Sequence, residues 1–116
     1  MTILCYPNCT TCKKAQAFLQ EHKVNVSIRN IKEQNPTYED LKEWQKKSNL
    51  PWKRFFNTSG GAYRALALKD RLPQMSEEEQ AALLASDGML VKRPILLLED
   101  AVLVGFRPAE WEQALK

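Results

Sequence analysis

The chain of 116 residues carries a formal net charge of +3, is 44% hydrophobic and 27% charged, and holds three cysteines and one histidine. A chain of this length buries an ordinary core without a metal or disulfide staple, and no apolar run in it is long enough to span a bilayer. The basic residues are spread along the sequence rather than gathered into a block, so charge points to no direct nucleic-acid partner. The opening MTILCYPNC has no basic start followed by a long apolar stretch and a cleavage site, which makes the cytoplasm the expected compartment. In a reducing compartment three cysteines do not build a disulfide framework, and a close pair there reads as redox or metal chemistry.

The elements follow in chain order. Residues 2–6 (TILCY) are short, apolar and β-favouring, and Pro7-Asn8 breaks them. A helix is predicted over 10–22, where Ala15, Phe18 and Leu19 recur at helical spacing and Thr10 or Thr11 can cap the start. Residues 24–28 (VNVSI) alternate as a half-buried strand does, completing a βαβ opening. Pro36 and Thr37 then signal a helix over 37–47, with Tyr38, Leu41 and Trp44 on one face. WKRFFN and GAYRALAL read as short helical pieces around the break at 57–61. A capping box of Ser76 and Glu79 opens a helix over 76–86, and Gly88 punctuates its far end. Strands at 94–98 and 101–105 are joined tightly through Glu99-Asp100, and Pro108 opens a final helix that runs to Lys116. The sum is one α/β domain over 1–116, with a helical insertion at about 36–88. No long heptad or exposed apolar stripe appears, so a monomer is expected.

Cys9-Thr10-Thr11-Cys12 places one sulfur at the mouth of the first helix and the other one turn inside it. A helix N-terminus offers unpaired N–H groups and partial positive charge, which favour a thiolate and can hold an oxyanion. Cys9 is the candidate nucleophile, with Asn8, Thr10 and Thr11 as anion-contacting neighbours. Cys12 is placed to resolve a mixed disulfide or sulfenate formed on Cys9. A structural zinc needs four ligands, but Cys5 lies within a strand and His22 at the far end of the helix, so both point away from a shared site and no metal is expected. The plainer reading, small core hydrophobes, suits Cys5, is open for Cys12, and fits Cys9 poorly because it sits in a Pro-Asn turn. His22 reads as an exposed residue at a helix end. Arg93 precedes Pro94 at the start of a strand, where a cis peptide would bring backbone close to the thiol, and Arg107 follows the next strand. Two guanidiniums there could fork onto one tetrahedral anion, although either arginine alone reads as surface charge.

The segments YPNCTTCKKA, NTSGGAYRAL, LPQMSEEE, DGMLVKRPILL and VLVGFRPAEW, in this order, resemble the arsenate reductase family of thioredoxin-like proteins, which also contains the Spx-type transcriptional regulators. The resemblance covers essentially the whole chain. It implies a thioredoxin-like mixed four-stranded sheet (βαβ, inserted helical segment, ββα) flanked by helices. It also implies that Cys9 attacks arsenate and that Arg93 and Arg107 bind the oxyanion. Two departures stand out. The third arginine of the family's reductases, expected within FFNTSGG, is replaced by Asn57 or Thr58, and the histidine four residues before the nucleophile is replaced by Cys5. Thiolate formation then rests on the helix terminus and on Lys13 or Arg93. Cys12 is a thiol that glutathione-dependent members lack and Spx-type regulators possess, which implies a Cys9–Cys12 disulfide during the cycle.

Two functions follow. One is a thiol-dependent oxidoreductase reducing arsenate, a disulfide or a glutathione adduct, with no bound cofactor and with glutathione and glutaredoxin, or thioredoxin, as external reductant. The other is a redox-sensing regulator that docks on the C-terminal domain of the RNA polymerase α subunit.

Overall fold

The computed structural model describes residues 1–115, so Lys116, where the predicted last helix ends, lies outside the described residues. Four strands form one mixed sheet in the order β2-β1-β3-β4: β1 (Thr2–Cys5), β2 (Ser27–Asn30), β3 (Ile95–Leu97) and β4 (Val102–Val104). β1 runs parallel to β2 through α1 (Thr10–Glu21) and antiparallel to β3, which pairs antiparallel with β4. The β3–β4 hairpin is closed by the Leu98 N–H donating to the Ala101 carbonyl around Glu99-Asp100. Between β2 and β3 lie α2 (Tyr38–Ser48), α3 (Gly61–Ala65), α4 (Leu68–Arg71) and α5 (Glu77–Ser86) with three short 3-10 turns; α6 (Pro108–Ala114) follows β4. This is the thioredoxin-like α/β architecture.

Because side chains alternate across a strand, the sheet feeds two cores. Ile3, Cys5, Leu96 and Leu103 face one layer, where they meet Cys12, Ala15 and Leu19 of α1 and Trp111 of α6. Leu4, Ile95, Val102 and Val104 face the other, packed against Leu41, Trp44, Phe55, Leu68 and Leu84 of the inserted helices. Trp111 is completely buried, donates its indole N–H to the Gly105 carbonyl at 3.1 Å, and meets Phe106 and Phe18 edge-on. Each such aromatic pair adds about 0.5–1.5 kcal/mol beyond its burial.

Two sequence expectations need correction here. The strand predicted over 24–28 begins only at Ser27, because the chain leaving α1 is committed to ending that helix. Lys23 takes a left-handed conformation (φ 56°), its N–H donates to Gln20 O, and the Val24 N–H donates to Leu19 O. This is the paired bonding of a Schellman cap, built without glycine. β2 is an edge strand, and its Ile28 is 60% exposed. The second correction concerns the start of α1. Its N-cap is Cys9 itself, with no side-chain cap, and Thr10 and Thr11 lie inside the helix rather than capping it.

Candidate active site: a thiol in a basic cleft

The turn Tyr6-Pro7-Asn8-Cys9 closes with the Cys9 N–H donating to the Tyr6 carbonyl at 3.0 Å, and this hands the chain from β1 into α1. With Cys9 at the N-cap and no side chain accepting from the first turn, the positive end of α1 stays open beside the sulfur. Cys9 is half-buried and lines a cleft of about 700 Å³. Lys53, Arg54, Lys92, Arg93 and Arg107 line the same cleft, and among the described residues no carboxylate does. Thr11 lines it as well, whereas Asn8 and Thr10 are exposed and do not.

Arg93 and Arg107 reach the cleft from adjacent strands, one just before β3 and one just after β4. The Arg93–Pro94 peptide is cis. The Arg93 guanidinium lies 5.4 Å from the centre of the Tyr6 ring, and its Nε and Nη1 are buried without a hydrogen-bond partner among the described residues. Burying two guanidinium nitrogens without an acceptor is costly, and an anion entering the cleft would relieve that cost.

Sequence reasoning missed Arg54. Asn57, Thr58 and Ser59 do line the cleft where the resemblance places a third arginine, but a guanidinium arrives from the 3-10 turn just upstream. The cause is a long-range clasp: Phe56 bridges Val91, the Lys92 N–H donates to Phe55 O at 2.7 Å, and the Asn57 N–H donates to Leu90 O at 2.7 Å. The inserted segment is thereby fastened against the approach to β3, bringing Arg54 and Lys92 to the same cleft. No local signal in WKRFF marks this pairing.

The expectation that Cys5 points away from the other thiols fails. β1 ends at Cys5, whose side chain shares one buried cluster with Cys12, and Cys9 packs against that cluster. The Cys12 hydrogen bond, aided by Gln16, holds Cys5 below the ordinary thiol value against the opposing effect of burial. The same bond to Cys5, followed by burial, pushes the Cys12 thiol far upward. Of this pair, Cys5 ionises first and Cys12 keeps its proton. All three thiols are free, and no group of three or more His, Cys, Asp or Glu among the described residues is arranged to hold a metal. His22 stays exposed, stacked on Phe18.

The family model described as "ArsC family" matches residues 4–114. The chain belongs to the ArsC family. Among its relatives, the uncharacterized protein YusI of Bacillus subtilis is 49% identical over 113 residues, covering 97% of this chain and 96% of YusI. The global transcriptional regulator Spx of Staphylococcus haemolyticus is 31% identical, over 95% of this chain and 82% of its own. In three dimensions this ArsC-family chain superposes on a proposed ArsC family related protein from Bacteroides fragilis with a TM-score of 0.95 and 53% identity, covering 97% of this chain and 94% of that one. A possible arsenate reductase from Streptococcus mutans gives 0.89 and 44%, covering 97% of this chain and 96% of that one. No helix among the described residues is long and apolar enough to cross a membrane.

Proposed function

We propose that the protein is a thiol-dependent reductase of an anionic substrate, arsenate or an anionic disulfide such as a glutathione adduct, with Cys9 as nucleophile and Cys12 as resolving thiol. The supporting observation is the half-buried Arg93, whose Nε and Nη1 are buried without a partner, in a cleft that also holds Cys9 and that no carboxylate among the described residues lines. In this reading Arg93, Arg107 and Arg54 neutralise the incoming anion, and the open end of α1 stabilises the attacking sulfur. With a glutathione disulfide, Cys9 displaces one glutathione and forms a mixed disulfide. Cys12 then attacks Cys9, passing its proton to the departing glutathione sulfur, which releases the second glutathione and leaves Cys9–Cys12. With arsenate, Cys9 displaces an oxygen as water, and attack by Cys12 on the arsenic-bound sulfur releases arsenite. An external thiol, glutathione with glutaredoxin or thioredoxin, restores the dithiol.

The test is NADPH consumption coupled through each thiol system, with arsenate or glutathione disulfide as oxidant. Turnover that disappears in Cys9→Ser supports the reading, and turnover that survives it removes Cys9 as the nucleophile. The likeness to Spx over nearly the whole chain favours one second reading, a redox-sensing regulator that binds the C-terminal domain of the RNA polymerase α subunit. A binding experiment with that domain, comparing the oxidised and reduced protein, separates the two.

A further inference from the structure

Beyond the last paired residues of β1 and β3 stand Tyr6 and Arg93. The two strands run antiparallel with Thr2 opposite Leu97, Ile3 opposite Leu96 and Leu4 opposite Ile95. Continued past Leu4, that register sets Tyr6 opposite Arg93, on the face of the sheet to which Leu4 and Ile95 belong. The side chains agree with the register. Tyr6 packs against the core fed by Leu4 and Ile95, and the Arg93 guanidinium carbon lies 5.4 Å from the centre of its ring, within the range of a cation–π contact. Arg93 Nε and Nη1 have no hydrogen-bond partner among the described residues, which leaves the ring as the group that orients this cation. Arg93 lines the cleft and Tyr6 does not, so the ring stands behind the guanidinium rather than beside a bound anion. The Tyr6 carbonyl meanwhile accepts the Cys9 N–H at 3.0 Å, so one residue reaches both the nucleophile and the cation.

We propose that Tyr6 is a positioning residue for the anion: its ring holds the Arg93 guanidinium in the cleft while its carbonyl holds Cys9, setting sulfur and cation relative to each other before substrate arrives. This rests on the reductase reading above. A carboxylate in the place of the ring would orient the guanidinium equally well, but it would take up the N–H donors and cancel the charge that an anion needs. An aromatic face attracts the cation through its quadrupole and accepts none of the in-plane N–H groups in a hydrogen bond, so they stay available to oxygen. A long arginine side chain that swung freely would also lose rotamer freedom on gripping the anion. Held against the ring, it has lost that freedom already, and the anion binds more tightly for it.

The experiment titrates sulfate, an unreactive tetrahedral dianion, into the reduced full-length protein by calorimetry. Tyr6→Leu keeps apolar bulk and removes the ring face, whereas Tyr6→Phe keeps the face and removes the hydroxyl. Tyr6→Leu should weaken sulfate binding by about fivefold and Tyr6→Phe by less than about twofold. In an Arg93→Met background, Tyr6→Leu should add no further loss, because the ring acts through the guanidinium. A second readout is the rate at which Cys9 is alkylated by anionic iodoacetate relative to neutral iodoacetamide. Tyr6→Leu should lower that ratio, since a turn that had merely loosened would change both rates together. Tyr6→Met serves if the leucine variant folds poorly. An equal loss in Tyr6→Leu and Tyr6→Phe, or a full additional loss in the Arg93→Met background, overturns the role of Tyr6 and leaves the reductase reading standing. Sulfate affinity unchanged in Arg93→Met overturns the role of Arg93 itself, on which both readings rest.

Discussion

Helices α2 and α5 begin in one way and α1 in another. At α2 the Thr37 hydroxyl accepts from the Asp40 N–H at 3.0 Å while the Asp40 carboxylate accepts from the Thr37 N–H at 3.1 Å. At α5 Ser76 and Glu79 exchange the same two bonds at 3.1 and 3.0 Å. Acidic residues fill the first turn of both, so the positive helix end is satisfied from within the chain. α1 has a cysteine at the N-cap, no side-chain cap and no acid in its first turn. Leaving out a cap forgoes roughly 1 kcal/mol of stability. The short helices α3, α4 and α6 also begin without a side-chain cap, but among the helices of ten residues or more in the described residues α1 is the uncapped one, and its open end faces the basic cleft.

The sharpest way to break this contrast is to give α1 a cap. Cys9→Ser should lower turnover by at least about a thousandfold, as expected for loss of a nucleophile. Cys9→Asp should do the same, and since aspartate caps well it should also stabilise the fold by about 0.5–1 kcal/mol, read from urea unfolding. Destabilisation by both variants would mean that Cys9 is held for structure rather than chemistry.

Next in size is Arg93. Arg93→Met keeps an unbranched side chain but removes the charge, and should weaken arsenate or sulfate binding by about tenfold or more in a calorimetric titration. Arg54→Met should follow in the same direction with a smaller loss. Unchanged affinity in both would make the cleft's charge incidental. Smaller still are the capped helices: Thr37→Ala and Ser76→Ala should each cost about 1 kcal/mol in urea unfolding and leave turnover at the wild-type rate.

The weakest effect is on acid stability. Burial raises the Asp40 carboxyl, but the Thr37 backbone N–H and the Arg29 guanidinium, 3.2 Å away, outweigh it and hold the group below its ordinary value of 3.8. A carboxylate lowered on folding contributes stability that is fully present above its unfolded value and is lost as pH falls through the folded one. The loss of stability between about pH 5 and about pH 3 should therefore shrink in Asp40→Asn, as judged by urea midpoints. An unaltered acid limb would show that the cap and ion pair contribute nothing there.

Local signals were legible in the sequence, and contacts across the chain were not. Ser76 and Glu79 announced α5, and Pro7-Asn8 before the cysteines announced the turn into α1. The left-handed Lys23 did not announce itself, because that conformation is normally marked by glycine or asparagine, so β2 was placed too early. Cys9, Arg93 and Arg107 could be picked out, since each adjoins a turn or a proline at an element end. Arg54 could not, because its position depends on the Phe56–Val91 bridge, and nothing in WKRFF encodes that pairing. Cys5 looked like an ordinary strand residue, since the pleat alone does not say that the last residue of β1 enters the same buried cluster as the second thiol of α1.

The burial of Trp111 has an optical consequence. Its indole sits in the same packed cluster as Cys5 and Cys12 and is tied to Gly105, which itself lines the cleft, while Trp44 and Trp52 belong to the core on the opposite face of the sheet. Replacing those two by phenylalanine leaves a single tryptophan, in the cluster that holds Cys5 and Cys12. Its fluorescence intensity would then follow their oxidation state continuously, in a chain that carries no attached dye.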